Sequence, residues 1–258
     1  MKIWHNNQLV DSLKLPAVNS PWLLGDGVFE TLRTYSGKVF GLELHLSRLA
    51  ATCAALDFSG FDPQLIRQAV DATVLANPGS PDGRLRITLL SDGELIVTHQ
   101  PYEPNLEAVS LGRYPGFRSS KELITGFKSI SYANNLVGLR YASRNGFDDL
   151  LFVNERDEVM ESGMANLLFF RDDQWQTPGV DSGCLVGITR GLLIENFGVQ
   201  EATLLLKDVD KCDALALVSS LREIVVVKNY EGHFYPTFKP LLDLQASFSE
   251  WIRVKLGE

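Results

Sequence analysis

The sequence has few cysteines, no long apolar run and no excess of positive charge, and each shortage excludes a class of protein. Its three cysteines, Cys53, Cys184 and Cys212, have no paired spacing, so we expect buried thiols in a reducing cytosol, not disulfides or a zinc site. The net charge of −8 argues against general binding to nucleic acid or anionic membranes. The first residues, MKIWHNNQLV, lack the apolar core of a signal peptide, and no run is long enough to span a membrane. We therefore expect a soluble cytoplasmic protein.

Several common catalytic signatures are missing as well. The chain contains no GxxxxGKS/T, HExxH, CxxC or GxSxG motif, which removes the usual signs of a P-loop, a zinc protease and a serine hydrolase. The segment GDGVFE lacks the third glycine of a dinucleotide-binding loop and precedes a strand pattern instead of a helix pattern. The four histidines are dispersed, so no metal site is predicted.

What is present is the composition of an ordinary globular protein, with 258 residues, 45% hydrophobic and 22% charged. In the first half, strand and helix patterns alternate. The predicted elements are a hairpin of 27–35 and 38–41 turning at Ser36-Gly37, helices over 42–56 and 63–76, and two strands within 83–100 joined at Asp92-Gly93. In the first strand of the last pair, Arg84, Arg86 and Thr88 share the face opposite to the apolar residues between them.

The second half predicts a helix over 132–145, with Leu136, Leu139 and Ser143 on one stripe. Further predicted elements are strands over 149–154, 158–162 and 166–170, a glycine-rich loop and helix over 177–198, two strands within 214–232 and a C-terminal helix. The fold class is α+β with mainly antiparallel strands. Because residues 101–121 hold three prolines and two glycines, we place the domains at 1–117 and 125–258, with 118–124 as the interdomain loop.

The stretch TGFKSISYANN (125–135) places Lys128 directly after a phenylalanine. Pyridoxal phosphate requires a lysine amine for its Schiff base, an acid beside its ring nitrogen and a cradle for its phosphate. Burial can lower a lysine pKa by about 3–5 units and release the nucleophilic amine. The competing interpretation of Lys128 is a solvated surface charge, which is the usual state of a lysine.

Other segments offer the remaining groups. Glu161 ends the apolar strand segment VME and could pair with a pyridine nitrogen, or it could be an exposed strand-end glutamate. Gly187 precedes a predicted helix, so the free amides of Ile188 and Thr189 could bind an anion, or the turn could simply cap the helix. Ser219 and Ser220 add hydroxyl donors at the end of a predicted strand.

Six segments in order resemble one family. They are GDGVFETLR (25–33), HLSRL (45–49), TGFKSISYANNL (125–136), VMESGMANLLFF (159–170), TPGVDSGCLVGITR (177–190) and VSSLREIVVV (218–227). Together they are similar to the fold-type IV (class IV) pyridoxal-phosphate enzymes, which include branched-chain aminotransferases, D-amino-acid aminotransferases and aminodeoxychorismate lyases. The resemblance implies a two-domain architecture, with a small N-terminal α/β domain and a larger C-terminal pseudo-barrel domain that hold the cofactor between them, and homodimers whose partner loop helps to close the site.

The resemblance also implies roles for individual residues. Lys128 matches the Schiff-base lysine, and Glu161 matches the residue that pairs with the pyridine nitrogen. Tyr132 matches a tyrosine directed toward the phenolic oxygen, although branched-chain aminotransferases place it one residue further from the lysine. The positions that match phosphate-binding residues of the family are Arg48, Ile188, Thr189 and Ser220.

Among the members of the family, the run TGFKSISYANNLVGLRYA most resembles the aminodeoxychorismate lyases. Thr31 then matches a substrate-site threonine, and Arg84 and Arg86 could bind the two carboxylates of aminodeoxychorismate or form a solvated strand face. The glycine-rich SRG that follows this strand in the lyases is LSDGE here. We expect the lyase reaction, which yields pyruvate and 4-aminobenzoate. A class IV aminotransferase acting on branched-chain or D-amino acids with 2-oxoglutarate is the alternative, and a non-catalytic carrier of the cofactor or a scaffold is a third hypothesis.

Overall fold

The computed structural model describes residues 1–16, 18 and 20–257, which form two compact units. The first unit comprises Met1–Pro104 and Phe127–Tyr132, and the second comprises Asn105–Gly126 and Ala133–Glu258. The predicted division at 118–124 differs from this one, because the short segment that carries Lys128 pairs with a strand of the first unit.

The first unit is built on an antiparallel six-stranded sheet with the order β2-β1-β6-β5-β3-β4. Its elements are β1 (Ile3–His5), β2 (Gln8–Val10), α1 (Pro21–Leu24), β3 (Gly27–Tyr35), β4 (Lys38–Val39), α2 (Leu42–Ala55), α3 (Pro63–Ala76), β5 (Gly83–Leu90) and β6 (Leu95–Pro101). All of these except β1, β2 and α1 were predicted. The sequence prediction of β4 was too long, because Gly41 has a positive φ of 67° and is the N-cap of α2.

The core of this unit lies where α2 and α3 pack on one face of the sheet. Leu32 of β3 and Leu49 of α2 are fully buried there, together with Leu85 and Ile87 of β5. Burying such a side chain contributes about 1.5–3 kcal/mol. The predicted alternation along β5 is confirmed as far as Ile87, but Thr88 is buried as well.

Both predicted turns of this unit are confirmed. At the first, Ser36 and Gly37 have φ values of 48° and 82°, as a two-residue hairpin between right-twisted strands requires. Asp92 and Gly93 connect β5 to β6, and Gly93 has a φ of 89°. These turns fix the register of β3 with β4 and of β5 with β6.

The second unit contains a nine-stranded sheet with the order β12-β11-β10-β13-β14-β7-β8-β9, and β15 pairs with β14. Its elements are β7 (Val109–Arg113), α4 (Ala133–Arg144), β8 (Asp149–Val153), β9 (Val159–Ser162), β10 (Asn166–Arg171), β11 (Gln174–Pro178), α5 (Ile188–Phe197), β12 (Gln200–Ala202), β13 (Ala214–Ser219), β14 (Glu223–Tyr230), β15 (His233–Phe234) and α6 (Lys239–Leu256). Most pairs are antiparallel, as predicted, but β7 runs parallel to β14 and β8, and β12 runs parallel to β11.

Two predictions in this unit were wrong. The segment that forms β11 was not predicted as a strand, and its last two residues, Thr177 and Pro178, were assigned to the glycine-rich loop. In α4 the predicted stripe is not the buried one, since Leu136 and Ser143 are exposed.

The buried residues of α4 are instead Gly138 and Ala142. A Cβ atom at Gly138 would lie 2.7 Å from Cζ of Phe152 in β8, so the helix approaches the sheet through its smallest residue. The short side chains of Gly138 and Ala142 let α4 pack closely on the sheet. This close packing, and not the apolar character of the leucine stripe, determines which face of the helix is buried.

The three cysteines are buried thiols, as expected. A membrane-spanning helix is absent from residues 1–16, 18 and 20–257.

Candidate functional site

Lys128 lies beside the start of β3 in the first unit. Its carbonyl oxygen accepts a hydrogen bond from the amide of Phe29 at 2.9 Å, and the amide of Ile130 donates to the carbonyl of Gly27 at 2.9 Å. These bonds fix the lysine segment against the strand. The Lys128 side chain is half-buried, with Nζ 4.4 Å from the centre of the Phe29 ring, so Lys128 packs on an aromatic surface.

The ring of Phe29 brings three predicted site residues together. The guanidinium carbon of Arg86 lies 3.7 Å from the ring centre, and the Lys128 amine contacts the same ring. Tyr132 packs edge-on, with the ring centres 5.6 Å apart. Sequence reasoning missed Phe29, although its position in the alternating strand pattern, on the face opposite to Val28, could have indicated it.

Arg84 and Thr31 complete this face of the first sheet. Thr31 is the direct cross-strand partner of Arg86. Arg84 is exposed and lies against the side-chain amide of Gln100, its partner on β6. Burial, followed by the charge of Arg84, lowers the pKa of Arg86 to about 10, so the Arg86 guanidinium still carries its charge at neutral pH.

Behind the strand, Arg48 belongs to a buried cluster with Glu30 and His45. Nε and Nη2 of Arg48 donate to the two carboxylate oxygens of Glu30 at 2.8 and 2.5 Å. Nδ1 of His45 lies 2.6 Å from the same carboxylate. The sequence prediction included Arg48 but not the two partners that fix its orientation.

Electrostatics assigns the charges within this cluster. Burial opposes ionisation of Glu30, but the hydrogen bonds from Arg48 and His45 outweigh it and lower the pKa of Glu30 to about 2. Burial lowers the pKa of His45, and the charge of Lys128 acts in the same direction, against the attraction of Glu30. At neutral pH the cluster therefore consists of a carboxylate, a neutral imidazole that donates through Nδ1, and a guanidinium.

In the second unit, Glu161 is held by two groups. Its Oε2 accepts a hydrogen bond from the amide of Leu185 at 3.0 Å, and Nη1 of Arg118 lies 3.7 Å from Oε1. Arg118 stacks on the ring of Phe152 at 3.4 Å. The carboxylate of Glu161 is thus oriented, and it is not the exposed strand-end group of the competing interpretation.

The predicted anion cradle lies at the start of α5. Gly187 precedes the helix and has no side chain to cap the amides of its first turn. Thr189 is buried and Ile188 half-buried, and the partial positive charge of the helix N-terminus favours an anion. Ser220 is half-buried just after β13. The uncapped amides at the start of α5 suit a phosphate.

The profile of the family described as Amino-transferase class IV matches residues 27–230. The chain belongs to the class IV aminotransferase family. This confirms the predicted resemblance and makes the protein an enzyme of a family that acts on small amino-acid substrates. Pyridoxal phosphate is its cofactor, in agreement with the lysine, the carboxylate and the uncapped helix N-terminus described above.

Individual class IV proteins are similar along almost the whole chain. A protein of Methanocaldococcus jannaschii, provisionally named as a branched-chain-amino-acid aminotransferase, is 27% identical over 90% of this chain and 88% of its own. A bifunctional aminodeoxychorismate lyase / D-amino acid transaminase of Mycobacterium tuberculosis is 27% identical over 82% and 84%. The PLP-bound form of a hypothetical aminotransferase from M. tuberculosis superposes with a TM-score of 0.89 at 24% identity, covering 99% of both chains. The predicted fold class is therefore confirmed.

Proposed function

We propose that this class IV enzyme is a 4-amino-4-deoxychorismate lyase, which releases pyruvate and 4-aminobenzoate. The observation that carries the proposal is the contact of Lys128 and Arg86 with one phenyl ring, at 4.4 and 3.7 Å from its centre. Both cations contact this ring, and Arg84 lies two residues before Arg86 on the same strand. Two neighbouring guanidiniums suit a substrate with two carboxylates.

The residues of the cofactor site have separate tasks in this proposal. When bound, pyridoxal phosphate supplies an electron sink for negative charge at the carbon that bears the substrate amine. Glu161 would pair with its ring nitrogen, and Tyr132 would face its phenolic oxygen. The residues predicted to hold its phosphate are Arg48, Ile188, Thr189 and Ser220.

Lys128 performs the proton transfers. Its free amine removes the proton from the amine-bearing ring carbon of the substrate, which makes it the general base. It then returns that proton to the methylene carbon of the departing enolpyruvyl group as the carbon–oxygen bond breaks. The products are pyruvate and the aromatic 4-aminobenzoate, and no second substrate is consumed. The neighbouring His45 is neutral. It therefore does not repel the positive charge that Lys128 gains when it takes up the proton.

An aminotransferase is the second candidate, because one of the similar proteins carries the name of a branched-chain-amino-acid aminotransferase and another is bifunctional. The same lysine and carboxylate would serve that reaction, but an oxo acid would have to accept the amino group. The requirement for an oxo acid therefore separates the two candidates.

We also propose that the protein is a cytoplasmic homodimer, as the family resemblance implies. In support of a dimer, α4 exposes large apolar side chains: Leu136, Val137 and Tyr141 are 46%, 48% and 39% exposed. Light scattering on purified protein checks the oligomeric state, and a monomer at micromolar concentration would contradict the dimer.

The decisive experiment supplies aminodeoxychorismate made in situ and measures pyruvate and 4-aminobenzoate without any oxo acid. Parallel reactions contain D-alanine or branched-chain amino acids with 2-oxoglutarate. Equal amounts of both lyase products support the proposal. Turnover only in the reactions with 2-oxoglutarate would establish the aminotransferase, and holoenzyme inactive in every reaction would favour a non-catalytic role.

A further inference from the structure

In the second unit, Leu185 connects two parts of the candidate site through its backbone. Its amide donates to Oε2 of Glu161 at 3.0 Å, and its carbonyl oxygen accepts from Nδ2 of Asn166 at 2.8 Å. Only the two backbone torsions of Leu185 separate these bonds. The orientation of the Glu161 carboxylate therefore depends on where Asn166 holds the Leu185 carbonyl.

The other end of the Asn166 amide packs against the anion cradle. A Cβ atom added to Gly187 would lie 1.9 Å from Oδ1 and 3.0 Å from Cγ of Asn166. No side chain larger than hydrogen fits between the two residues. The residue that opens α5, and with it the amides of Ile188 and Thr189, is therefore set directly by the position of the Asn166 side chain.

Asn166 itself has little freedom to move. It is 5% exposed, it begins β10, and it pairs with Val218 of β13 in the centre of the second sheet. Val218 lies two residues before Ser220, another predicted phosphate-binding residue. The segment that carries Ser220 therefore also begins next to the Asn166–Val218 pair. One buried amide thus reaches Glu161 through the backbone of Leu185, packs against Gly187, and is paired two residues before Ser220.

We propose that Asn166 is a positioning residue that aligns the Glu161 carboxylate with the anion cradle at Gly187–Thr189, at the separation that the ring nitrogen and the phosphate of the cofactor require. The inference rests on the roles given to Glu161 and to the cradle in the proposed function. Its physical basis is preorganisation, because groups that are already aligned bind a rigid two-ended ligand without paying for their ordering.

The test compares a ligand with both ends and a ligand with one. Apoprotein carrying Asn166→Ala or Asn166→Asp is titrated with pyridoxal phosphate and with pyridoxal, which lacks the phosphate. The aspartate variant keeps the volume but lacks the donor to Leu185. The matched control is Asn196→Ala, since Nδ2 of Asn196 also donates to a backbone carbonyl, that of Leu192 at 3.0 Å within α5.

We expect the Kd of pyridoxal phosphate to rise by about 10- to 100-fold in both Asn166 variants, the range seen when partners that orient binding groups are removed. The Kd of pyridoxal should rise by less than about threefold, because a one-ended ligand does not sense the alignment. The Asn196 control should bind both ligands as the unmodified protein does.

Unchanged binding of pyridoxal phosphate in the Asn166 variants would overturn the inference, and so would equal weakening of both ligands. Variants that do not fold, judged by thermal unfolding of the apoprotein, would make Asn166 a structural residue and would also overturn it. If the unmodified protein bound no pyridoxal phosphate, the proposed function would fail first, and that result is distinct from a failure confined to the variants.

Discussion

Arg48 donates two hydrogen bonds to Glu30, from Nε at 2.8 Å and from Nη2 at 2.5 Å. Both carboxylate oxygens are engaged, and the Glu30 side chain is 1% exposed. A cation that is predicted to bind phosphate is therefore oriented by a buried anion. Because the carboxylate balances the charge of Arg48, removing either partner would leave a buried group without its counter-charge.

Removing that carboxylate charge should destabilise the protein. Glu30→Gln leaves a buried guanidinium without its counter-charge, and we expect the free energy of unfolding to fall by about 3 kcal/mol, with weaker binding of pyridoxal phosphate. Denaturant unfolding and cofactor titration check both effects. Glu43→Gln is the matched control, because Glu43 accepts the same two-bond contact from Arg67 on the surface of the protein. An equal loss of stability in both variants would contradict the role of burial.

The buried histidine should make stability depend on pH. Burial lowers the pKa of His45 below its usual 6.5, so the unfolded chain binds a proton first as the pH falls. The contribution of His45 to stability is present above pH 6.5 and decreases below it. Glu30, with a pKa lowered from 4.5 to about 2, adds a second decrease below pH 4.5.

The measurement is the free energy of unfolding between about pH 7.5 and about pH 5. The His45→Gln variant should have a flatter profile than the unmodified protein, with a slope smaller by up to about 1.4 kcal/mol per pH unit. His99, whose pKa burial also lowers, should account for part of the slope that remains. Parallel profiles for the two proteins would show that His45 does not titrate in this range.

Replacing the lysine should abolish the reaction without unfolding the protein. In the proposed function, Lys128→Ala removes both the covalent attachment of the cofactor and the general base, so we expect pyruvate release to fall by at least about 10²–10⁴-fold. Borohydride should fix pyridoxal phosphate to the unmodified protein and not to the variant. Lys228→Ala, at an exposed position on β14, should change neither result. Undiminished turnover in Lys128→Ala would refute the assignment.

The two arginines of β5 should contribute unequally. Arg86 is half-buried on the Phe29 ring, whereas Arg84 is exposed beside Gln100. A hydrogen bond to a charged group contributes about 1.5–3 kcal/mol, so Arg86→Gln should raise KM for aminodeoxychorismate by about 10- to 100-fold. Steady-state kinetics should show a smaller rise for Arg84→Gln. A larger effect at Arg84 would assign the main carboxylate contact to the outer residue.

Two helix glycines should respond in opposite directions to alanine. Gly138→Ala places a methyl group 2.7 Å from Cζ of Phe152, and overpacking of this kind costs about 1–3 kcal/mol. A Cβ atom at Gly191 of α5 meets nothing within 4 Å, so Gly191→Ala should stabilise the protein by about 0.5–1 kcal/mol through helix propensity. Thermal unfolding provides the comparison, and stabilisation by both substitutions would show that α4 can move away from the sheet.

The predictions from sequence succeeded where a local pattern determines the structure. The alternation along β5 as far as Ile87 and the Ser-Gly and Asp-Gly turns require no knowledge of distant residues. The stripe of α4 failed for the opposite reason. Leu136 looks like a core residue along the helix, but the close approach of Gly138 to Phe152 is a tertiary contact that periodicity does not contain.

The candidate site divides in the same way. Lys128 and Glu161 lie in segments whose residue types could be matched to a known chemistry. Glu30 lies in the segment GDGVFETLR (25–33), but its role depends on hydrogen bonds from Arg48 that only the folded structure reveals. Asn166 is harder still to find, because it contacts the backbone at Leu185 and Gly187. Contacts with backbone groups cannot be predicted from the types of the side chains.

Pairing of the lysine segment with β3 has a genetic consequence. Phe127–Tyr132 follows Asn105–Gly126 in the sequence but folds with Met1–Pro104, so the first unit is encoded discontinuously. A gene cut after residue 104 would yield a fragment that retains Phe29, Arg48 and Arg86 but lacks the amine. Recombination at that point could therefore not transfer Lys128 to another protein together with the sheet on which it packs. Met1–Pro104 and Phe127–Tyr132 have to be inherited together for the first unit to keep its lysine segment.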